Sequence, residues 1–411
     1  MTVSRSARAA LVAAFLGWMF DGMEMGIFPL VARPALQQMQ LAAGIVGEGF
    51  VQQWMGIITA WFLLGAAAGG LVFGWLGDRI GRVRAMTASI LCYSLLTGAC
   101  YLATTPWQLG LFRFLAALGM GGEWALGVAL VMEVWPDAKR PLMAGAIGAA
   151  ANLGYCLIAL LGIFFPIRGD SWRWVMLVGA APALLTFFIR LFVPESERWA
   201  ASVAQRPATP FLEIFSPAQR GRTLLAVLFA SVPLVVTWGI VQWIPLWADQ
   251  MTGGKEPTAK AWTQFSLSLG ACCGALAAPL AGAWLSRRAT YCGLCLVALG
   301  LCQWLFHGFD AFDWAFLAVA FCVGGSTAAF YGWLPLYLPE LFPTRARATG
   351  QGLAFNFGRI LAAIGAWKMP VLMGFFGGSY PKAGVAIVLV YLIGAAAIWL
   401  GPETRGRDLP E

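Results

Sequence analysis

Charged side chains fall inside stretches of the chain that are otherwise apolar, among them Asp21, Glu24, Arg113, Glu123 and Arg359. A charge at bilayer depth costs about 2.5 to 3.5 kcal/mol on insertion scales, so each of them calls for a task. Asp21 and Glu24 stand one helical turn apart on one face. Two carboxylates that close repel when both are ionised, which favours a proton on one of them and suits the pair to carrying protons. Glu24 is the expected carrier and Asp21 its modulator; the other reading is an acid locked in a permanent ion pair. Arg113 lies at about the depth Glu24 would reach. Arg359, one turn after Asn356, is permanently charged and can grip a carboxylate in a bidentate fork, which points to an anionic substrate. It could instead pair internally with Asp21 or Glu123. Glu123 would then face Arg359 or a substrate hydroxyl. Trp238, Gln242, Asn152, Tyr155, Asn356 and Tyr331 could supply stacking and hydrogen bonds in a central cavity, although aromatics at helical spacing are more often packing.

These residues need a scaffold that holds charge inside a membrane, and the composition describes one. Of 411 residues 60% are hydrophobic and 11% charged, and the mean hydropathy is +0.74, values outside the range of soluble domains. Twelve apolar stretches of spanning length can be read at 9–31, 53–76, 85–104, 107–135, 141–165, 172–193, 223–247, 261–285, 289–307, 314–338, 348–376 and 383–400. The same punctuation is written twice. Glu133, Pro136 and Arg140 recur as Glu340, Pro343 and Arg347, 207 residues later, and Pro194-Glu195-Ser196 recurs as Pro402-Glu403-Thr404, 208 residues later. Trp75-Leu76 with Trp284-Leu285 and Asn152-x-Gly154 with Asn356-x-Gly358 keep similar offsets. Two parallel six-helix halves, 1–193 and 223–411, joined by a basic, proline-containing linker at 194–222, are therefore expected, with a substrate path at their interface. The fold class is all-α, integral to the membrane.

Eighteen Lys and Arg fall on the side of the termini and linker and six on the other. By the positive-inside rule both termini are cytoplasmic, and the net charge of +8 reflects topology rather than nucleic-acid binding. The first stretch follows Arg5 and Arg8 without a clear cleavage site, and is read as a helix rather than a leader. All nine Cys fall within expected helices, with no metal-ligand spacing backed by His, and read as packing residues. No metal or other cofactor is expected. With no GxxxxGK[ST] loop, energy is expected from ion or solute gradients, and the protein is not read as an enzyme.

The segment Gly74-x-Leu76-Gly77-Asp78-Arg79-x-Gly81-Arg82-x-Arg84 resembles the loop signature of the major facilitator superfamily. PESERW at 194–199 and PETRGR at 402–407 look like signatures of its sugar-porter branch. Asp21-Gly22-Met23-Glu24 resembles the DGxD of aromatic-acid proton symporters, with Glu in place of the second Asp, and Gly121-Gly122-Glu123-Trp124 resembles the GGEW of sialate and metabolite symporters. The resemblance covers the whole chain. It implies that Glu24 and Arg113 form a coupling pair, Arg113 being released when Glu24 is protonated; a purely structural Arg113 is the other reading. It also implies an inner gate made of Asp78, Arg79, Arg82, Glu133 and Arg140 in the first half and Arg287, Arg288, Glu340, Arg345 and Arg347 in the second. These could also serve only as topology determinants. Ser286-Arg287-Arg288 stands where the first half has Gly-Asp-Arg, so the gate is expected to be asymmetric. Prolines at Phe28-Pro29-Leu30, Trp243-Ile244-Pro245 and Trp333-Leu334-Pro335 mark candidate hinges at helix ends.

The expected function is proton-coupled symport of a small organic or sugar acid by alternating access, through a monomer in a cell membrane of bacterial inner-membrane type. A neutral sugar or polyol porter, an efflux or exchange carrier, and a transport-inactive receptor or scaffold are the rivals.

Overall fold

In the computed structural model the described residues are 5–45, 49–165, 170–205, 210–253, 255–256 and 258–410. Every regular element among them is helical. The first set comprises α1 (Arg5–Ala42), α2 (Phe50–Ile80), α3 (Arg82–Ala99), α4 (Pro106–Val134), α5 (Arg140–Phe164), α6 (Ser171–Val178) and α7 (Leu185–Phe192). Two short helices, α8 (Glu197–Gln205) and α9 (Pro210–Ile214), lie in the linker. The second set comprises α10 (Arg220–Gly239), α11 (Ile244–Met251), α12 (Ala259–Trp284), α13 (Arg287–Gly308), α14 (Trp314–Tyr337), α15 (Arg347–Phe375), α16 (Tyr380–Ile387) and α17 (Val390–Ala397).

Ten helical stretches among the described residues are long and apolar enough to cross a membrane. A bilayer interior offers the backbone no water, so a spanning segment must close its own hydrogen bonds, and the helix does so. Two of the twelve expected stretches fall outside those ten. The stretch 172–193 is broken between α6 and α7, with Pro182 in the turn that separates them. The other, α15, is 29 residues long but carries Gln351, Asn356, Arg359 and Lys368.

Two local expectations change. α1 does not end at Phe28-Pro29-Leu30 but runs through Pro29 and Pro34 to Ala42, 38 residues in all. Its last turns bury Ala32, Ala35, Leu36 and Met39 on one face, and that packing carries the helix past both prolines. The stretch read at 223–247 is interrupted earlier than Pro245: α10 ends at Gly239, residues 241–243 make a tight turn, and Pro245 sits in the first turn of α11. Proline suits that position because its missing N–H has no helical partner there. Pro335, by contrast, lies in the last turn of α14, which ends at Tyr337 as expected.

Packing divides the helices by sequence. α4 packs on α1, α2 and α3, and α1 on α5; α14 packs on α12 and α13, α10 on α15, and α13 on α17. The two sets meet along α2 with α15 and along α5 with α12 and α14. Lipid supplies no hydrophobic drive between helices, so close backbone approach through small residues does the joining. Gly148 on α5 faces Gly332 on α14, where a Cβ would come within 2.5 Å of the opposing backbone. Gly70 on α2 leaves the space that the side chain of Asn356 fills from α15.

Candidate functional site

A cavity opens at the centre, between the two sets. Trp18 and Met25 of α1 and Asn152 and Tyr155 of α5 form one wall; Trp238 of α10, Gln242 of the helix break, Gln264 and Ser268 of α12, Tyr331 of α14, and Phe355 and Arg359 of α15 form the other. Residues at i and i+4 on a helix share a face, which is how Phe355 and Arg359 arrive together. A second cavity shares Tyr155, Trp238, Gln242 and Gln264 and continues past Phe28, Met55 and Pro245. It therefore lies toward the start of α2 and the end of α1, away from Asp78.

Arg359 is 2% exposed. Its Nη1 donates to Asn356 Oδ1 at 2.7 Å and its guanidinium stands 5.0 Å from the Phe355 ring. Among the described residues it forms no ion pair, although Asp21 lies within electrostatic reach. A cation facing a cavity without a contact anion can grip a carboxylate that enters. Six of the eight residues expected at a substrate site line this cavity: Arg359, Gln242, Trp238, Asn152, Tyr155 and Tyr331. Asn356 stands behind the wall, where it donates to Gly352 O at 2.9 Å and across to Gly121 O at 3.3 Å and so orients Arg359. Glu123 also lies off the cavity, 1% exposed, packed over Gly17 of α1. Gln264, Ser268, Thr237 and Phe355 are cavity residues that sequence reasoning did not single out. Polar and aromatic types recur along so many helices that nothing marked these four.

On the first-half side, Glu24 and Arg113 form an ion pair with both side chains 2% exposed. Thr97 Oγ1 donates to the same carboxylate at 3.2 Å, and the guanidinium lies 4.5 Å from the Phe62 ring and 5.0 Å from that of Phe28. Asp21 is fully buried and does not line the cavity.

At the far end, where α2 and α15 meet, the charges interlock. Asp78 accepts from Arg82 Nη1 at 2.6 Å, Thr349 Oγ1 at 2.6 Å, Thr349 N at 2.8 Å and Ala348 N at 3.3 Å. Arg82 Nη2 donates to Thr344 O at 2.8 Å and to Glu133 at 3.1 Å. Glu133 also receives Arg347 at 3.1 Å and Ser196 Oγ at 2.5 Å. In the second half Glu340 accepts from Arg287 at 2.7 and 3.0 Å and from Thr404 at 2.6 Å. Two carboxylates cap helices in matching fashion: Glu195 takes the N–H of Arg82 at 2.7 Å, and Glu403 takes that of Arg287 at 3.1 Å. Burial works against the ionised Glu403, yet the N–H groups of Arg287, Arg405 and Arg288 hold its carboxyl below the ordinary value. Arg345 pairs with Glu213 of the linker, Arg79 lies over the Trp75 ring at 4.8 Å, and Arg140 donates to Met132 O at 2.9 Å. Arg288 takes part through its backbone, donating to Glu403 at 3.3 Å.

Comparison with known proteins adds identity to geometry. The family model described as Major Facilitator Superfamily matches residues 10–366. A protein of Haemophilus influenzae named for metabolite transport is 30% identical, the alignment covering 97% of each chain. The cis,cis-muconate transport protein of Acinetobacter baylyi is 29% identical over 95% of this chain and 93% of its own. Among solved structures, the proton:xylose symporter XylE of the same superfamily superposes with a TM-score of 0.81 at 15% identity, covering 98% of both chains, which is likeness of fold.

Proposed function

Because the chain belongs to the Major Facilitator Superfamily and is a multi-pass cell-membrane transporter rather than an enzyme, we propose that it is a proton-coupled symporter of a small organic or sugar acid working by alternating access. The observation that carries this reading is Arg359: a permanent cation on the wall of the central cavity, oriented by Asn356 and without a contact anion. Its surroundings of Phe355, Tyr155, Tyr331 and Trp238 give apolar and aromatic walls, with Gln242 and Asn152 to bond the rest of a small molecule. The relative named for cis,cis-muconate transport supports a carboxylate cargo. Residues 1–193 and 223–411 are the two moving units in this reading, with 194–222 as their cytoplasmic connector. The ties of Asp78, Arg82 and Arg347 across the units close the cytoplasmic end, and the second cavity leads outward.

Proton drive rests on Glu24, Asp21 and Arg113. A protonated Glu24 no longer holds Arg113, so protonation changes which contacts link α1 and α4 and biases the access equilibrium. The transporter acts as a monomer in an inner membrane of bacterial type.

The experiment is uptake into liposomes from a panel of cis,cis-muconate, benzoate, gluconate, lactate and neutral xylose, with internal pH recorded. Acid-selective uptake with internal acidification is expected, and Arg359→Ala should weaken acid binding at least ~30-fold. Uptake of xylose alone, or equal loss of acid and neutral solutes in the variant, would move the protein to the neutral porters and make Arg359 structural.

A further inference from the structure

The buried acids of the first half are served unequally. Glu24 has Arg113 and Thr97 as partners. Asp21 and Glu123 are 0% and 1% exposed, and among the described residues none of their four carboxyl oxygens meets a hydrogen-bond donor. They nevertheless sit together. Glu123 reaches across from α4 to α1 because residue 17 is glycine: a Cβ there would lie 1.5 Å from Glu123 Oε1, one turn before Asp21. The two carboxyls are within electrostatic reach of each other, and the buried hydroxyl of Tyr93 on α3 is within electrostatic reach of both.

The remaining charged and titratable groups around them are few. Glu24 lies along α1 and is engaged by Arg113; Arg359 approaches from α15, with Tyr155 of α5 and Tyr331 of α14 beside it. An ionised carboxylate without donors in such a place is costly, whereas a neutral acid brings its own O–H and can donate it to a neighbouring carboxylate. One proton between the two groups makes the best of the site.

Resting on the anion-symport reading above, we propose that Asp21 and Glu123 form a carboxyl pair sharing one proton behind Arg359, and that the pair takes up a second proton whenever a substrate carboxylate engages that cation. The charge count shows why. With one proton the pair carries −1, which Arg359 neutralises; a bound monoanion adds −1, and one further proton restores neutrality. Anion and proton thus favour each other's binding, and the favour is reciprocal. In the state described Glu24 is ion-paired with Arg113 and that pair is neutral, so the Asp21–Glu123 pair is a proton site separate from it.

Infrared spectroscopy of the purified chain in nanodiscs, without substrate and at neutral pH, tests the pair directly. A protonated-carboxyl band is expected in the native protein and in Glu24→Gln, and its absence in the double variant Asp21→Asn with Glu123→Gln. Both replacements are isosteric and remove buried charge. If the double variant does not fold, Glu123→Gln alone serves, because Asp21 then ionises against Arg359 and the band goes. Calorimetry with benzoate and gluconate supplies the second readout. Affinity should fall about tenfold per pH unit above neutrality in the native protein and lose that dependence in the double variant. A band that survives the double replacement, or one that vanishes in Glu24→Gln, overturns the proposal. Failure of both acids to bind the native protein would remove the anion reading, while the infrared band still decides whether the pair holds a proton.

Discussion

The two halves carry the same charged device at the same end, and they use it differently. In each, an Arg at the start of a helix donates to a carbonyl five residues back: Arg82 to Gly77 O at 2.8 Å, and Arg287 to Gly282 O at 2.7 Å. In each, that Arg binds the Glu of the repeated Glu-x-x-Pro-x-x-x-Arg string, and a hydroxyl of the repeated Pro-Glu-Ser or Pro-Glu-Thr string binds the same Glu. Only the first half adds an acid one turn before the Arg. Asp78 reaches over to Ala348 and Thr349 and stitches α2 to α15. Counting back four residues from Arg287 gives Ala283, and the positions that match Ala348 and Thr349 at the repeat offset of 207 are Pro141 and Leu142. Proline has no N–H and leucine no hydroxyl, so the acid and two of the three donors are missing together, and only the N–H of Leu142 remains. The tie across the interface is thus concentrated on one side, while the second-half cluster holds its own helices together.

Breaking the first-half tie should have the largest effect. Asp78→Asn keeps the shape but turns an amide N–H₂ toward donors that had a carboxylate, and leaves Arg82 with Glu133 as its one anion. Loss of one partner from a buried charge cluster costs about 3 kcal/mol. The closed form of that end should lose roughly 100-fold in population against the open one. Spin-label distances between the inner ends of α2 and α15 would report it; an unchanged distribution would mean that Asp78 is not what holds the helices together.

How much of this was legible beforehand depends on range along the chain. Spanning helices follow from apolar length, a local property. The doubled strings follow from self-comparison, and Ser196 and Thr404 stood within them, so their matching bonds to Glu133 and Glu340 could have been anticipated. The pairing of Glu24 with Arg113 was implied by the family resemblance, and their similar depths in the helices agreed with it. The partners of Asp78 were not legible, because nothing local says that α2 meets α15 some 270 residues on. Nor was the register of the second loop. Alignment on Trp75-Leu76 and Trp284-Leu285 sets Arg287 against Asp78, whereas the hydrogen bonds set it against Arg82. α2 runs on to Ile80, four residues past Leu76, whereas α12 stops at Trp284, and a helix end that shifts by a turn leaves no trace in hydropathy. The length of α1 was missed for a related reason: two prolines outweigh an amphipathic pattern in a local reading, but packing of Ala35, Leu36 and Met39 outweighs them in the fold.

Breaking the second-half cluster should show the opposite balance. Glu340→Gln removes the anion that Arg287 binds with two nitrogens, side chains 7% and 9% exposed, and takes a charge-assisted acceptor from Thr404. A loss of about 2 kcal/mol in stability is expected, read as a lower melting temperature in detergent. Glu340 also lies within electrostatic reach of Arg140 across the interface. That contribution is small enough that the α2–α15 distance distribution should shift less than about threefold. A shift as large as that of Asp78→Asn would erase the distinction between the two clusters.

The smallest effect, and the sharpest on the cause of the asymmetry, belongs to Ala283→Asp. An acid one turn before Arg287 restores the first-half pattern, but its reach across the interface ends at Pro141 and Leu142. It can gain an i,i+4 pairing with Arg287, which Glu340 already holds, worth about 0.2 to 0.5 kcal/mol, and across the interface at most the N–H of Leu142. The melting temperature should therefore rise by a degree or less, and transport should be unchanged. Adding Leu142→Thr supplies a hydroxyl beside the N–H already there and leaves the proline, so two of the first half's three donors are present and transport should slow slightly as the second tie begins to hold. A large change from Ala283→Asp alone would mean that the second half lacks only the acid, and that Pro141 and Leu142 are incidental.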